Sequence, residues 1–370
     1  MKINKWISWK HIGSQLVYDL IGKDSFRGVS LTYSWLANQF GHLSIGFIHT
    51  MLLIHLCKCQ FCEIIYCLGG DTYGRAFGAA VLVSLFWFAF ETVNFLGPLL
   101  TQRRSNSNLL FVGGKKYQFN PRWWFVGFDT ATDVCVFAFG AFLAAYVFHP
   151  SVPTKIAIGI LMIILLLPCY YWFVNKMYQK CANYPMQFNL SQWDLDIDEK
   201  GKKSVHEFIQ SMLNYRKNGG NTKHLLIFGS KRSGKSSLGI GIASGLSDRR
   251  FACRYLTANN LYSLFFGKDS AYPRDETIWD WKQSELLVID EINPGRPVWK
   301  YIISPDRFLL IAKQFNKHPE INPQILCNKF VIWIVGNRKQ NDLNIKRWKA
   351  MILEMGIKED QQMTIDLSKN

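Results

Sequence analysis

The chain has 370 residues, of which 49% are hydrophobic and only 19% are charged. A prior of about 150 residues per domain excludes one small domain, and this composition excludes a disordered chain or a coiled coil. Residues 1–175 hold 13 Lys and Arg against 7 Asp and Glu, whereas residues 176–370 hold 30 against 20. The first half is the more apolar half, and we expect it to be a membrane domain.

Four apolar segments in this half are long enough to cross a bilayer, which takes about 20 helical residues. They are Leu31–Leu56, Ala76–Leu100, Trp123–Phe148 and Ile156–Val174. The sequence therefore predicts an all-α bundle of four transmembrane helices over residues 31–175. The alternative is a set of buried helices in a large soluble domain, which the polar residues within these segments favour.

The basic residues that flank these segments predict their orientation. Lys and Arg precede the first segment, separate the second from the third and follow the fourth, whereas loops 57–75 and 149–155 are poor in them. By the positive-inside rule, both termini and everything after Asn175 are cytoplasmic, as in a multi-pass protein of a bacterial inner membrane. Residues 1–30 form a leader without a cleavable signal, either a basic amphipathic helix on anionic lipid or a solvated segment. Residues 176–204 are expected to be a linker.

Four cysteines cluster in the first predicted external loop, at Cys57, Cys59, Cys62 and Cys67. Their spacing is irregular for a metal site, and an external compartment permits disulfides. The end of an apolar span, a disulfide and a metal site are the three interpretations left open.

The second half carries the most specific motif. A short apolar strand, His224–Phe228, is followed by GSKRSGKS and then by the helix-forming segment Ser237–Leu246. The pattern G-x-x-x-x-G-K-[ST] between a strand and a helix is typical of a loop that binds the phosphates of ATP. We expect Lys235 to reach the β- and γ-phosphates and Ser236 to bind Mg²⁺. The predicted phosphate-binding residues are Gly229, Ser230, Lys231, Arg232, Ser233, Gly234, Lys235, Ser236 and Ser237.

Two further strands are followed by polar side chains. Leu286–Ile289 leads into Asp290 and Glu291, which we expect to hold Mg²⁺ and to polarise the attacking water, respectively. Phe330–Val335 leads into Gly336 and Asn337. Asn337 either orients the water or senses the γ-phosphate, or it is a turn residue after the strand.

Together these motifs resemble those of the catalytic-Glu class of P-loop ATPases, and within it the helicase-loader and transposition-helper branch of the AAA+ superfamily. The resemblance covers residues 205–370 and rests on GSKRSGKSS, RYLTANNLYSLFF, LLVIDE and VGNR. It implies an α/β domain with a parallel five-stranded sheet in the order 5-1-4-3-2. The strands would lie near His224–Phe228, Arg254–Thr257, Leu286–Ile289, Phe330–Val335 and Met363–Leu367. The amphipathic segment Ser204–Arg216 would pack beside the nucleotide.

The same resemblance implies that the ATPase acts as a homo-oligomer. Such ATPases complete each site with an arginine from a neighbouring subunit, and Arg338 and Arg347 are the candidates. The chain ends just past the expected fifth strand, so the helical lid of full AAA+ proteins is expected to be missing.

The membrane half contains a set of polar residues that includes three acids, and each charge at the centre of a membrane helix costs at least about 2.5 kcal/mol. The set is His42, Glu91, Arg122, Asp129 and Asp133. Over residues 31–148 this arrangement is similar to that of small VanZ-like membrane proteins. It is either a site for a lipid headgroup, an ion or a proton, or polar contacts that join the helices.

Three functions are compatible with these observations. The first is a membrane-anchored ATPase whose nucleotide-dependent self-association switches or assembles a membrane complex. The second is a membrane-tethered ATPase that acts on DNA, and a membrane enzyme or transporter with a regulatory ATPase is a third. The sequence shows no recognisable nucleic-acid-binding motif, which favours the first. By analogy alone, such a protein suits bacterial anti-phage defence or a mobile-element system, beside a separate effector protein.

Overall fold

The computed structural model describes residues 7–21, 30–56, 72–103, 119–120, 122–193, 195, 197–261, 278–292, 304–314, 324–336 and 342–367. The chain divides into two compact units. The helical unit comprises Ser14–Lys115 and Pro121–Lys176. The sheet unit comprises Met1–Gly13, Lys116–Asn120 and Met177–Asn370.

Five helices account for most of the described residues before residue 183. They are α1 (Trp9–Leu20), α2 (Leu31–Leu56), α3 (Thr72–Arg103), α4 (Trp123–Phe148) and α5 (Val152–Ala182). By length and composition, three described segments could cross a membrane: Gly74–Leu96, Trp123–Phe148 and Val152–Ala182.

The prediction of four such segments was therefore wrong for the first one. The segment Leu31–Leu56 does form one helix of 26 residues, but it falls outside the set of helices apolar enough to span. The physical reason is the row of polar side chains along it, namely Asn38, Gln39, His42, His49 and His55.

Helix α2 nevertheless packs closely along α4. A Cβ atom added to Gly46 would overlap the carbonyl oxygen of Phe137, and one added to Gly140 would overlap that of Leu43. Small residues at such crossings let two helix backbones touch, which is how helices pack when the surroundings are apolar. The two glycines therefore determine the α2–α4 contact.

The sheet unit is built on five parallel strands: β1 (His224–Gly229), β2 (Cys253–Thr257), β3 (Leu286–Asp290), β4 (Phe330–Gly336) and β5 (Gln362–Asp366). Their order is β2-β3-β4-β1-β5. This is the predicted order, read from the opposite edge. The strands also coincide with the predicted segments to within two residues at each end.

Strand β1 is buried along its whole length, as expected for a central strand of a parallel sheet. Leu225 and Ile227 join the core on one face, and Leu226 and Phe228 join the core on the other. The helices of this unit are α6 (Glu199–Asn218), α7 (Lys235–Ser247), α8 (Pro305–Gln314), α9 (Gln324–Cys327) and α10 (Asp342–Glu354), with short 3₁₀ turns at Leu190–Gln192 and Glu359–Gln361. The alternation of β1 side chains thus supplies both cores.

Helix α6 contains the predicted amphipathic segment. The Asp198 carboxylate caps it by accepting a hydrogen bond of 2.7 Å from the Gly201 N–H. Val205, Phe208 and Met212 are buried on one face in the same core as Leu225. This spacing of three and four residues is that of a helix with one apolar side.

Candidate functional site

The phosphate-loop motif forms a tight turn between β1 and α7. Gly234 has a φ of 81° and Arg232 a φ of 68°, both in the left-handed region that a side chain disfavours. Helix α7 begins at Lys235, directly after this turn. The first N–H groups of a helix have no partner within the helix and attract anions. The loop therefore ends at a helix N-terminus suited to phosphate.

The chain that precedes α6 packs against the loop at Gly234. A Cβ atom at Gly234 would collide with the ring of Trp193 and with Leu195. Trp193 is itself buried, in the same core as α7. Glycine is thus required at position 234 by both the backbone angle and the neighbouring side chains.

Lys235 is half-buried, and its ammonium group donates a hydrogen bond to the carbonyl oxygen of Ser230, within the loop. Burial lowers the pKa of Lys235, and the nearby negative charge of Asp290 opposes that shift. The ammonium group is therefore held over the loop and within electrostatic reach of the carboxylate that ends β3.

The Asp290 carboxylate is held by two hydrogen bonds and is only 4% exposed. The Tyr255 hydroxyl donates to Oδ2 at 2.9 Å, and the backbone N–H of Glu291 donates to Oδ1 at 2.6 Å. Burial and the adjacent Asp290 charge raise the pKa of Tyr255, so its hydroxyl keeps the proton that it donates. Asp290 is consequently fixed in one orientation.

Glu291 leaves the strand with a φ of 56°, and its side chain is exposed. A positive φ is unusual for a residue other than glycine, and such strain tends to occur at functional sites. The turn thus places the Glu291 carboxylate outside the sheet, although the preceding residue, Asp290, is buried.

The remaining predicted residues differ in how the structure places them. Ser236 and Ser237 are half-buried in the first turn of α7, whereas Lys231 and Arg232 are exposed in the loop. Arg347 is exposed on α10. Asn337 and Arg338 lie outside the described residues, as do Cys57, Cys59, Cys62 and Cys67. The five cysteines in the described part of the chain are free.

The donor set fits a magnesium nucleotide. A helix N-terminus, a lysine and a serine stand at the end of β1, and a carboxylate that can bind a hard cation stands at the end of β3. The carboxyl ends of β1 and β3 lie on the same side of the sheet because its strands are parallel, although β4 lies between them. The fold thus brings Lys235 within electrostatic reach of Asp290.

Sequence reasoning missed the role of Tyr255. In the β2–β3 register, Thr257 pairs with Asp290 and Tyr255 with Val288. Tyr255 and Thr257 are two residues apart and therefore share a face. The tyrosine side chain is long enough to reach from its own pairing position to Asp290, two residues further along β3. This contact could therefore have been predicted from the sequence only if the register of the two strands had been known.

Four of the five predicted polar residues of the helical unit lie within electrostatic reach of one another. They are His42, Glu91, Asp129 and Asp133. Gln39, which the sequence did not single out, donates from its amide nitrogen to Asp133 at 3.0 Å. Arg122 lies over the ring of Phe125, with its guanidinium carbon 3.6 Å from the ring centre.

No family model matches the chain, and no curated protein is significantly similar to it. The resemblance of residues 31–148 to VanZ-like proteins therefore finds no support. Among solved structures, a crystal structure of DnaI is similar, with 19% sequence identity and a TM-score of 0.30, over 49% of this chain and 88% of that chain. At that level of similarity, the interpretation of the site rests on its own geometry.

Proposed function

We propose that this protein is a membrane-anchored ATPase of the P-loop type that binds and hydrolyses ATP with Mg²⁺. The observation that carries the proposal is that Lys235 lies within electrostatic reach of Asp290, although the two residues are distant in sequence. One belongs to a helix N-terminus suited to phosphate, and the other is a buried carboxylate with a fixed orientation. A triphosphate and a hard cation are the ligands that this pair suits together.

The residues would act as follows. Lys235 exchanges its bond to the Ser230 carbonyl for the β- and γ-phosphate oxygens, while the loop N–H groups hold the same phosphates. Ser236 and Asp290 would hold the Mg²⁺ ion, which would supply positive charge to stabilise the phosphate oxygens. Glu291 accepts a proton from the attacking water. Burial of Lys235 strengthens its attraction to phosphate, because the surroundings screen charge less than water does.

The test separates binding from hydrolysis in the full chain in detergent. Lys235→Ala should lose ATP binding, measured with a fluorescent ATP analogue. Glu291→Gln should bind ATP but hydrolyse it at least about 100-fold more slowly, since general base catalysis contributes about that much. Lys217→Ala, an exposed lysine at the end of α6, is the matched control and should change neither. Unchanged hydrolysis in Glu291→Gln would exclude it as the base.

We extend the proposal to self-association, in which Arg347 completes the site of a neighbouring subunit. Its exposure on α10 leaves the guanidinium group available to another chain. Hydrolysis per chain should then rise with protein density in liposomes. A mixture of Arg347→Ala with Lys235→Ala should be more active than either variant alone, because each variant retains what the other lacks. Activity that is independent of density would contradict this part of the proposal.

The proposed location of the ATPase is the cytoplasmic face of a bacterial inner membrane. Lys176 and Lys180 at the end of α5 support that orientation under the positive-inside rule, and ATP is available on that side. A reporter that works only in the cytoplasm should be active when it is fused after Asn370. A reporter that works only outside the cytoplasm should be inactive at the same position. The complex that self-association would switch, and the separate effector within it, are proposed only by analogy with bacterial defence and mobile-element systems.

A further inference from the structure

A second group of reactive side chains lies within the helical unit. Gln39 and His42 on α2, Glu91 on α3, and Asp129 and Asp133 on α4 form what we call the polar cluster. The Gln39 amide and the His42 ring both approach Asp133 Oδ1, at 3.0 and 3.6 Å. Asp129, Asp133 and His42 each interact electrostatically with Glu91. The cluster therefore joins three helices at one place.

Hydrogen-bond acceptors outnumber donors in the polar cluster. Ionised carboxylates only accept. The Gln39 amide nitrogen is used on Asp133, and the Asn94 amide reaches Glu91 at 3.3 Å. Gln39 is only 8% exposed, yet its carbonyl oxygen is buried without a hydrogen-bond partner among the described residues. A buried amide oxygen without a donor costs about 1–3 kcal/mol, which points to a ligand that donates hydrogen bonds.

The polar cluster also carries excess negative charge. The basic groups near its three carboxylates are His42, on α2, and Lys176, on α5. Lys176 lies within electrostatic reach of Asp129. One lysine and one histidine carry too little positive charge to neutralise three ionised carboxylates. Like charges in apolar surroundings repel strongly, because little water screens them. The ligand should therefore be a cation.

The arrangement favours an ammonium group over a metal ion. Among the described residues, no three His, Cys, Asp or Glu side chains are close enough to hold a metal ion. An ammonium nitrogen stands about 2.7–3.0 Å from each acceptor, so it can join acceptors that are spaced more widely than metal ligands. Its three N–H groups could donate to acceptors of the polar cluster, among them the carbonyl oxygen of Gln39.

The exposure of the acids indicates how the cation would enter. Asp129 is exposed, the Asp133 side chain is 16% exposed and Glu91 is 7% exposed. Asp129 lies about 9 Å along α4 from its first residue, Trp123. An entrance so close to a helix end is within reach of lipid headgroups. We propose that the polar cluster binds a primary ammonium group, from either an aminophospholipid headgroup or a soluble amine.

The test uses the full chain and two probes. Nanodiscs with equal phosphatidylethanolamine and phosphatidylglycerol test the lipid source, and the lipids retained on the protein are measured by native mass spectrometry. Ethanolamine tests the soluble source, through the shift in unfolding temperature at constant pH and ionic strength. The variants are Asp133→Asn and Asp129→Asn. Because Asp129 is exposed, its variant should fold even if Asp133→Asn does not. Asp306→Asn, an exposed acid on α8, is the matched control.

The native chain should retain phosphatidylethanolamine or be stabilised by ethanolamine, and the probe that succeeds identifies the source. Each cluster variant should weaken that binding about 10- to 100-fold, because a charge-assisted hydrogen bond is lost. The control and the retention of phosphatidylglycerol should not change. Stabilisation by Na⁺ equal to that by ethanolamine would overturn the proposal. An unfolding temperature that changes with pH but not with ethanolamine would also overturn it. So would Asp133→Asn and Asp129→Asn variants that bind the probe as well as the native chain does.

Discussion

His224 gives a sharp prediction, because its protonation state is determined by its neighbours. The side chain is fully buried at the start of β1. The Trp333 indole, which can only donate, approaches Nδ1 at 3.2 Å, and the Leu326 carbonyl, which can only accept, approaches Nε2 at 3.2 Å. The ring must therefore accept at Nδ1 and donate at Nε2. A second proton at Nδ1 would face the indole N–H.

Burial lowers the pKa of His224 from 6.5 to about 4, against a smaller opposite effect of the Leu326 hydrogen bond. The unfolded chain takes up this proton near pH 6.5 and the folded chain only near pH 4. The free energy of unfolding therefore decreases as the pH falls through that window. The difference in pKa corresponds to about 3 kcal/mol in total, of which about 2 kcal/mol is lost between pH 7 and pH 5.

The assay is thermal unfolding of the full chain in detergent, followed by circular dichroism at pH 7 and pH 5. A loss of about 2 kcal/mol should lower the unfolding temperature by about 4–8 °C for a domain of this size. His224→Gln should lose that part of the pH dependence, even if it is less stable at pH 7. His206→Gln, which changes an exposed histidine on α6, should behave like the native chain. Parallel pH dependences for His224→Gln and the native chain would refute the reasoning.

Two further predictions concern the site and the helical unit. Tyr255→Phe removes the donor to buried Asp290, so unfolding should become easier by about 1–3 kcal/mol and half-maximal hydrolysis should need more Mg²⁺. Exposed Tyr215→Phe is the control, and an unchanged Mg²⁺ requirement would contradict a positioning role for Tyr255. Gly140→Ala places a methyl group against a backbone carbonyl of α2 and should lower the unfolding temperature. Gly159→Ala, which meets open space, should not lower it, and equal effects would contradict the proposed α2–α4 contact.

The sequence alone predicted the features that depend on local pattern. Three of the strands followed from apolar runs, whereas the other two and the order of all five were implied by the resemblance to P-loop ATPases, and the structure has the strands in that order. Gly234 and Lys235 could be placed between a strand and a helix because the motif G-x-x-x-x-G-K-[ST] occurs in that context, and the structure has α7 beginning at Lys235. The long helices also followed from composition, since a run of apolar residues longer than a strand is helical when it is buried or in lipid.

The sequence did not predict which side chains of different helices or strands are in contact. Such contacts depend on the register of paired strands and on how closely two helix backbones approach. Leu31–Leu56 was expected to span because it is long and largely apolar, but its polar residues leave it outside the helices apolar enough to span, and Gly46 lets it pack closely on α4. Gln39 was overlooked because only its position opposite Asp133 distinguishes it from any other polar helix residue. Tyr255 reaches Asp290 only because two parallel strands are paired in one register out of several. The sequence alone thus determined the helices, the strands and the loop between β1 and α7, whereas the tertiary structure decided which partners the charged groups around them have.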